Sequence, residues 1–386
     1  HSANVGTQLV VMKSVIVLFD LATLWLVIRL LQLVQRPPEW CITYAWCPLV
    51  LKEFANSGHL DAIAVCLTTT AAYCAVRALF GARTAMSERG CPEIGRIFAA
   101  HLVLALAVGA KIYPVVLMPL FFFSTWRHVG RGVAVSSLVA TLLLVGVMVV
   151  PMFYRNAELP GEVSVVPVAT TGDAQPPLPD ITGRIAKRRS SGSNIDPAST
   201  GVKAFAMQWQ MNDFLFLLLY ENLKPVPQVV TVPLPPEPWT SEQPPLPDLL
   251  GISETVPTPP PAQRSTVAAS TRHTPIAWFA VTPNFWRLRL VDKVERLTQL
   301  DRSRIPFVVT RAITGTVFFC LAVWFAARAV RLSTADAWLQ ASFLTIAWFW
   351  LLQPTQNPWY WTWALPLLPF AKSRAWLWMS GLCMLY

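Results

Sequence analysis

The chain has 386 residues, 54% of them hydrophobic and only 13% charged. A soluble globular domain carries about a quarter charged residues, so that class is excluded, in agreement with a mean hydropathy of +0.45. The formal charge of +10 is spread singly between apolar runs instead of gathered into a patch, which argues against nucleic acid and for the loops of a membrane protein.

In chain order, apolar runs at 9–34, 40–54, 60–80, 96–110, 112–126 and 132–153 are followed by 306–330, 337–352, 358–371 and 374–386. They predict an all-α, polytopic transmembrane bundle of ten segments. Residues 1–153 form its first half, 154–305 an outer-face loop, and 306–386 the second half. Several runs are shorter than the ~20 residues of a straight spanning helix, and such segments are expected to be broken or re-entrant around a water-filled cavity. With ten segments, Arg29, Arg36, Arg77, Arg83, Arg89, Arg96, Arg127, Arg131, Arg328, Arg331, Lys372 and Arg374 fall on one face, which is expected to be cytoplasmic. The short loops of the other face carry little beyond Lys52 and Lys111.

Within the outer loop, 157–200 and 224–275 are rich in Pro, Ser and Thr and bury too little to fold alone. The run 201–223 reads as an interfacial or re-entrant helix, and 283–297 as another helix at the membrane surface. The cysteines form no CxxC pair and no His/Cys cluster at metal spacing, and those inside apolar runs read as small hydrophobes. No cofactor or metal is expected. The sequence opens at His1 without a signal-peptide pattern and stops at Tyr386 within an apolar run, so more chain is expected on both sides.

Four polar groups stand where lipid disfavours them. In WCPLVLKEFANSGHLDAIAV (46–65), Glu53, His59 and Asp61 suit proton transfer or hydroxyl recognition, Gly58 allowing a close turn. A capped helix start, with Asn56 or Ser57 as cap and Asp61 favoured by the dipole, explains them equally well. In ALAVGAKIYPVVLMPLFF (105–122), Lys111 beside Tyr113 is a partner for a phosphate, or a lysine snorkelling to the headgroups. In WQMNDFLF (209–216), Asn212 and Asp213 suit sugar hydroxyls with Trp209 as a platform, or face solvent from an amphipathic helix. In FWLLQPTQNPWYWTWALPLLPF (349–370), Gln353, Gln356, Asn357, Trp359 and Tyr360 suit a carbohydrate or headgroup, or belong to an aromatic belt.

Together these runs resemble the GT-C superfamily of membrane glycosyltransferases, in particular the bacterial family 87-like, polyprenyl-phosphate-mannose-dependent mannosyltransferases. GHLDA and NPWY carry the resemblance, which covers most of the membrane part and none of the Pro-rich stretches. It implies a multi-pass enzyme of the bacterial plasma membrane that moves a hexose from a polyprenyl-phosphate sugar to a glycan, lipid or protein acceptor. Lys111 would face the departing phosphate. Glu53, His59 and Asp61 would handle the acceptor or donor sugar, and Asn357 and Tyr360 would complete the wall. In the family the catalytic acid residue lies in the first outer loop, which would precede His1. A secondary transporter or lipid flippase also uses broken helices, but with charges near the bilayer midplane and inverted repeats. A scaffold whose Pro-rich loop binds a partner is the third alternative.

Overall fold

The computed structural model describes residues 5–81, 91–154, 215–226 and 281–383. Among these the chain is helical throughout, with no strand. It divides into two compact units, 1–217 with 308–386, and 218–307.

The first unit begins with α1 (Val5–Leu33), 29 residues with no Gly or Pro after its first turn. It ends where Gln35 adopts a left-handed conformation at φ 55°. Residues 38–56 then rise along α1 as a broken segment. A 3-10 turn Pro38–Cys41 and short α pieces Ile42–Ala45 and Pro48–Val50 lead into a π-helical turn Leu51–Asn56. Pro38 and Pro48 lack the N–H that would continue a regular helix, so they begin pieces instead.

Next come α2 (Asp61–Phe80) and α3 (Cys91–Ala110), which pack along one another. In lipid there is little hydrophobic gain from joining helices, so small residues that let backbones approach do the work. Ala62, Ala64, Ala71, Ala72 and Ala75 of α2 and Ala100, Ala105 and Ala107 of α3 are all buried. Gly109 leaves the room that Met148 fills from α5. A 3-10 turn Tyr113–Leu117 leads into α4 (Met118–His128), and α5 (Arg131–Tyr154) follows.

The chain returns to this unit in α8 (Ile305–Leu332), then α9 (Ala335–Leu352), two 3-10 turns Pro358–Trp363 and Leu365–Phe370, and α10 (Ala375–Leu382). Thr334 caps α9 by accepting from the Ala337 amide at 3.2 Å. Among the described residues, four helices are long and apolar enough to cross a membrane: Val5–Leu33, Asp61–Phe80, Arg131–Val150 and Ile305–Leu332. The predicted segments 112–126 and 358–371 are built differently. The first combines the 3-10 turn Tyr113–Leu117 with α4, and the second consists of the two 3-10 turns Pro358–Trp363 and Leu365–Phe370.

The two ends of the bundle differ in chemistry. At the end where α1 finishes and α9 begins, Arg36 pairs with Asp336 at 2.6 Å and donates to the Pro369 carbonyl at 2.7 Å. Lys372 stands 3.8 Å from the same carboxylate. The start of α2 and the end of α3 lie at the opposite end, with the 353–360 turn.

The second unit holds the C-terminal part of α6 (Leu215–Leu223) and α7 (Asn284–Thr298). The buried Arg287 donates to the carbonyls of Glu221, Lys224 and Thr282 at 3.0, 3.1 and 2.8 Å. It thereby satisfies the C-terminal groups that α6 leaves open. Asn284 closes the unit by exchanging two hydrogen bonds with the Val226 backbone. The predicted helix at 283–297 is thus present, whereas only 215–223 of the predicted 201–223 helix is described. The Pro-rich stretches, apart from 224–226, lie outside the described residues.

Candidate functional site

Three local devices bring the site together. The π-helical turn widens the backbone so that Glu53 points inward, and such turns recur at functional sites. Gly58, at φ 71°, supplies a left-handed turn that most other residues resist. It lets the His59 amide return to the Glu53 carbonyl at 3.0 Å. Asp61 is then the first residue of α2, where the helix dipole favours a negative charge.

Asp61 is 5% exposed and holds the centre. Lys111, from the end of α3, lies 2.8 Å from its Oδ1 and 3.1 Å from its Oδ2. The indole of Trp363 donates to Oδ1 at 2.9 Å. His59 connects this pair to Glu53. Its Nε2 is 3.1 Å from Glu53 Oε2, and its Nδ1 is 4.0 Å from Asp61 Oδ2. Lys52 stands 3.5 Å from the other Glu53 oxygen and is mostly exposed. Two buried carboxylates therefore face two ammonium groups and one half-exposed imidazole.

Aromatic rings form the floor. Tyr113 lies flat on Trp363, with centroids 4.2 Å apart and planes 4° apart. Trp363 stacks in turn on Tyr360 at 4.4 Å. The Lys111 ammonium sits over both Tyr360 and Trp363, 5.1 and 5.8 Å from their centroids. The Tyr113 hydroxyl meets Thr68 Oγ1 at 3.2 Å. Trp359 stacks on the His59 imidazole at 5.9 Å and 24°.

The structure thus brings together Glu53, His59, Asp61, Lys111, Tyr113, Trp359 and Tyr360. Lys111, read from the sequence as a partner for a phosphate or a snorkelling lysine, is ion-paired with Asp61. Asn357 plays a backbone part. It precedes the first 3-10 turn, and its carbonyl accepts from the Trp350 indole at 3.1 Å. Gln356 Nε2 is buried and has no hydrogen-bond partner among the described residues. Trp209, Asn212 and Asp213 lie outside the described residues. No group of three His, Cys, Asp or Glu side chains that could hold a metal ion occurs among the described residues.

Trp363 is the participant the sequence reading passed over. A signal existed: in a 3-10 helix, residues i and i+3 eclipse, so a Pro-initiated turn sets Tyr360 and Trp363 on one face. Asp20 was also passed over. It lies midway along α1 and accepts from the Tyr44 hydroxyl at 2.5 Å.

The chain matches no family model, and neither a curated protein nor a solved structure is detectably similar to it. The chemistry of the cluster therefore has to carry the functional reading.

Proposed function

We propose that the chain is a membrane glycosyltransferase of the GT-C kind, moving a hexose such as mannose from a polyprenyl-phosphate sugar to an acceptor hydroxyl. The proposal includes ten membrane segments in a bacterial plasma membrane, with the Arg36 end cytoplasmic and the Asp61 end outside. The observation that carries it is the joined cluster Glu53–His59–Asp61–Lys111 over an aromatic floor at one end of the bundle. An imidazole oriented by a carboxylate, an ammonium held by a buried carboxylate and stacked rings are what glycosyl transfer from a lipid phosphate asks for.

In the proposed reaction the acceptor oxygen attacks the anomeric carbon. The bond from that carbon to the phosphate oxygen breaks, and its electron pair leaves with the lipid phosphate. With Nε2–H donated to Glu53, His59 keeps a lone pair on Nδ1 to take the hydroxyl proton. Lys111, held by Asp61, turns its remaining donors to the departing phosphate. Trp359 and Tyr360 offer ring faces to the sugar. Asp61 positions Lys111 and Trp363, since both its oxygens are already engaged.

One observation favours a second reading as a secondary transporter or flippase: the half-buried Asp20 carboxylate midway along α1, paired with Tyr44, is the kind of intramembrane acid that proton-coupled carriers use. The full chain reconstituted in vesicles with polyprenyl-phosphate hexose separates the two. Sugar transferred to acceptor supports the enzyme. Donor crossing the bilayer intact, with no transfer, supports the carrier and rejects the enzyme.

A further inference from the structure

In the second unit, α7 sorts its side chains by face. Each helical residue turns the chain by about 100°, so Phe285, Trp286, Arg289, Lys293, Arg296 and Leu297 fall within one arc of about 120°. All six are exposed, Phe285, Trp286 and Leu297 by 52, 55 and 75%. Val291, on the opposite side, is buried, and so is Arg287, whose guanidinium is engaged by the carbonyls that end α6. The charges are sorted as well. Asp292 and Glu295 stand outside the arc, and Arg302 pairs with both, at 2.7 and 3.4 Å. Arg289, Lys293 and Arg296 pair with no carboxylate among the described residues. Arg289 lies over Phe285 and Trp286, 5.9 and 5.7 Å from their centroids, and Arg296 donates to the Asp292 carbonyl at 3.1 Å.

We propose that this face of α7 docks on an anionic phospholipid bilayer, with its three cations among the phosphates and Phe285, Trp286 and Leu297 set into the headgroup boundary. Three large apolar side chains gain nothing from standing in water, whereas the headgroup region takes up aromatic rings and cations together. Charge selects the kind of lipid. An anionic surface holds each nearby Lys or Arg about fivefold more strongly than a neutral one. The carboxylates that would oppose this lie outside the arc and are already paired with Arg302. The bilayer is also within reach. Residues 299–304 alone join α7 to α8, a helix long and apolar enough to cross a membrane. The end of α7 therefore stands no further than about 25 Å from the start of α8. The docking face does not depend on the transferase reading.

The test uses the full chain, otherwise free of Cys, with Leu297→Cys carrying a nitrobenzoxadiazole label. It is reconstituted in vesicles of phosphatidylcholine alone or mixed equally with phosphatidylglycerol. A lipid with a nitroxide near its headgroup quenches the label when the helix docks, which gives the ratio of docked to free helix. That ratio should be at least about tenfold higher with phosphatidylglycerol. It should fall in about 1 M salt, where the screening length is roughly 3 Å. The same label on Thr298→Cys, about 100° around the helix, should be quenched less. Arg289→Gln, Lys293→Gln and Arg296→Gln together should lower the ratio about a hundredfold, while Arg289→Lys with Arg296→Lys should keep it. Phe285→Ser with Trp286→Ser should also lower it. The substituted side chains are exposed, so each variant should keep the Tm of the parent. Equal ratios in the two kinds of vesicle, or in the triple Gln variant and its parent, overturn the proposal. So does a ratio unmoved by the two Ser substitutions, because the face would then read charge alone and fit a soluble polyanion instead of a bilayer.

Discussion

The indole of Trp363 donates to the carboxylate of Asp61 at 2.9 Å, joining the 3-10 turn that follows α9 to the first residue of α2. The same carboxylate holds Lys111 from α3. Three elements distant in the sequence thus meet on one side chain, and the geometry of the whole site hangs on it. Trp363→Phe keeps an aromatic ring for the Tyr113 and Tyr360 stacks but removes the donor. Since a hydrogen bond to a charged group is worth about 1.5–3 kcal/mol, this variant should lower thermal stability measurably while leaving the helical circular dichroism unchanged.

The Lys111–Asp61 pair should be strongly coupled. Asp61 is buried, whereas the Lys111 side chain is 35% exposed. Removing one partner of a fully buried pair costs about 3–5 kcal/mol, and the partial exposure of Lys111 brings the expected loss to roughly 2 kcal/mol for Lys111→Ala. Asp61→Asn combined with Lys111→Met should recover part of that loss. A double-mutant cycle on detergent-solubilised protein measures it, and additive single losses would show that the pair is not coupled.

Gly58 should be intolerant of a side chain for backbone reasons alone. A Cβ there would meet Met12, Lys13 and Ile16 at 3.4–3.7 Å, ordinary contact distances. The left-handed φ of 71° instead costs about 1–2 kcal/mol for an L residue. Gly58→Ala should therefore lower stability by about that amount and displace His59 from Glu53. Gly58→Asn, which tolerates this conformation better, should be milder. The ordering of the two Tm values checks the claim.

At the far end, Arg36 works as a clamp without touching the site. It reaches Asp336, the Pro369 carbonyl and the face of Phe370, 5.8 Å from the ring centroid. Arg36→Ala should cost about 1–2 kcal/mol of stability and leave sugar transfer per folded molecule within twofold of the parent. Loss of transfer out of proportion to stability would mean that the two ends are coupled.

The proposed orientation predicts opposite labelling of those ends. Cysteines introduced at Lys52 and at Lys372 in a chain otherwise free of Cys should react with a membrane-impermeant maleimide from opposite sides of the bilayer, Lys52 from outside. Reaction of both from one side would contradict the segment count.

The sequence made the long helices legible. Apolar runs at 9–34, 60–80 and 306–330 became Val5–Leu33, Asp61–Phe80 and Ile305–Leu332 because unbroken apolar stretches leave few alternatives. The runs 40–54 and 358–371 were legible as irregular, since Pro48, Pro358, Pro366 and Pro369 forbid regular helix. Their π and 3-10 geometry was not, because it depends on what packs against them. Among site residues, Glu53, His59 and Asp61 were visible as charges close in sequence within an apolar region. The partnership of Lys111 with Asp61 was not visible, since it spans 50 positions and is made by the packing of α3 on α2. Trp363 was hidden among the other Trp of its run, any of which could have belonged to a membrane belt.

The most direct test of the central proposal is the transfer of labelled hexose from a polyprenyl phosphate by the full chain in membranes, comparing His59→Ala, Glu53→Gln and Lys111→Ala with the parent. Loss of a proton acceptor should slow transfer about 10²–10⁴-fold in His59→Ala, with a smaller loss in Glu53→Gln and a severe one in Lys111→Ala. Full activity in both His59→Ala and Lys111→Ala would contradict the assignment of this cluster as the site of transfer.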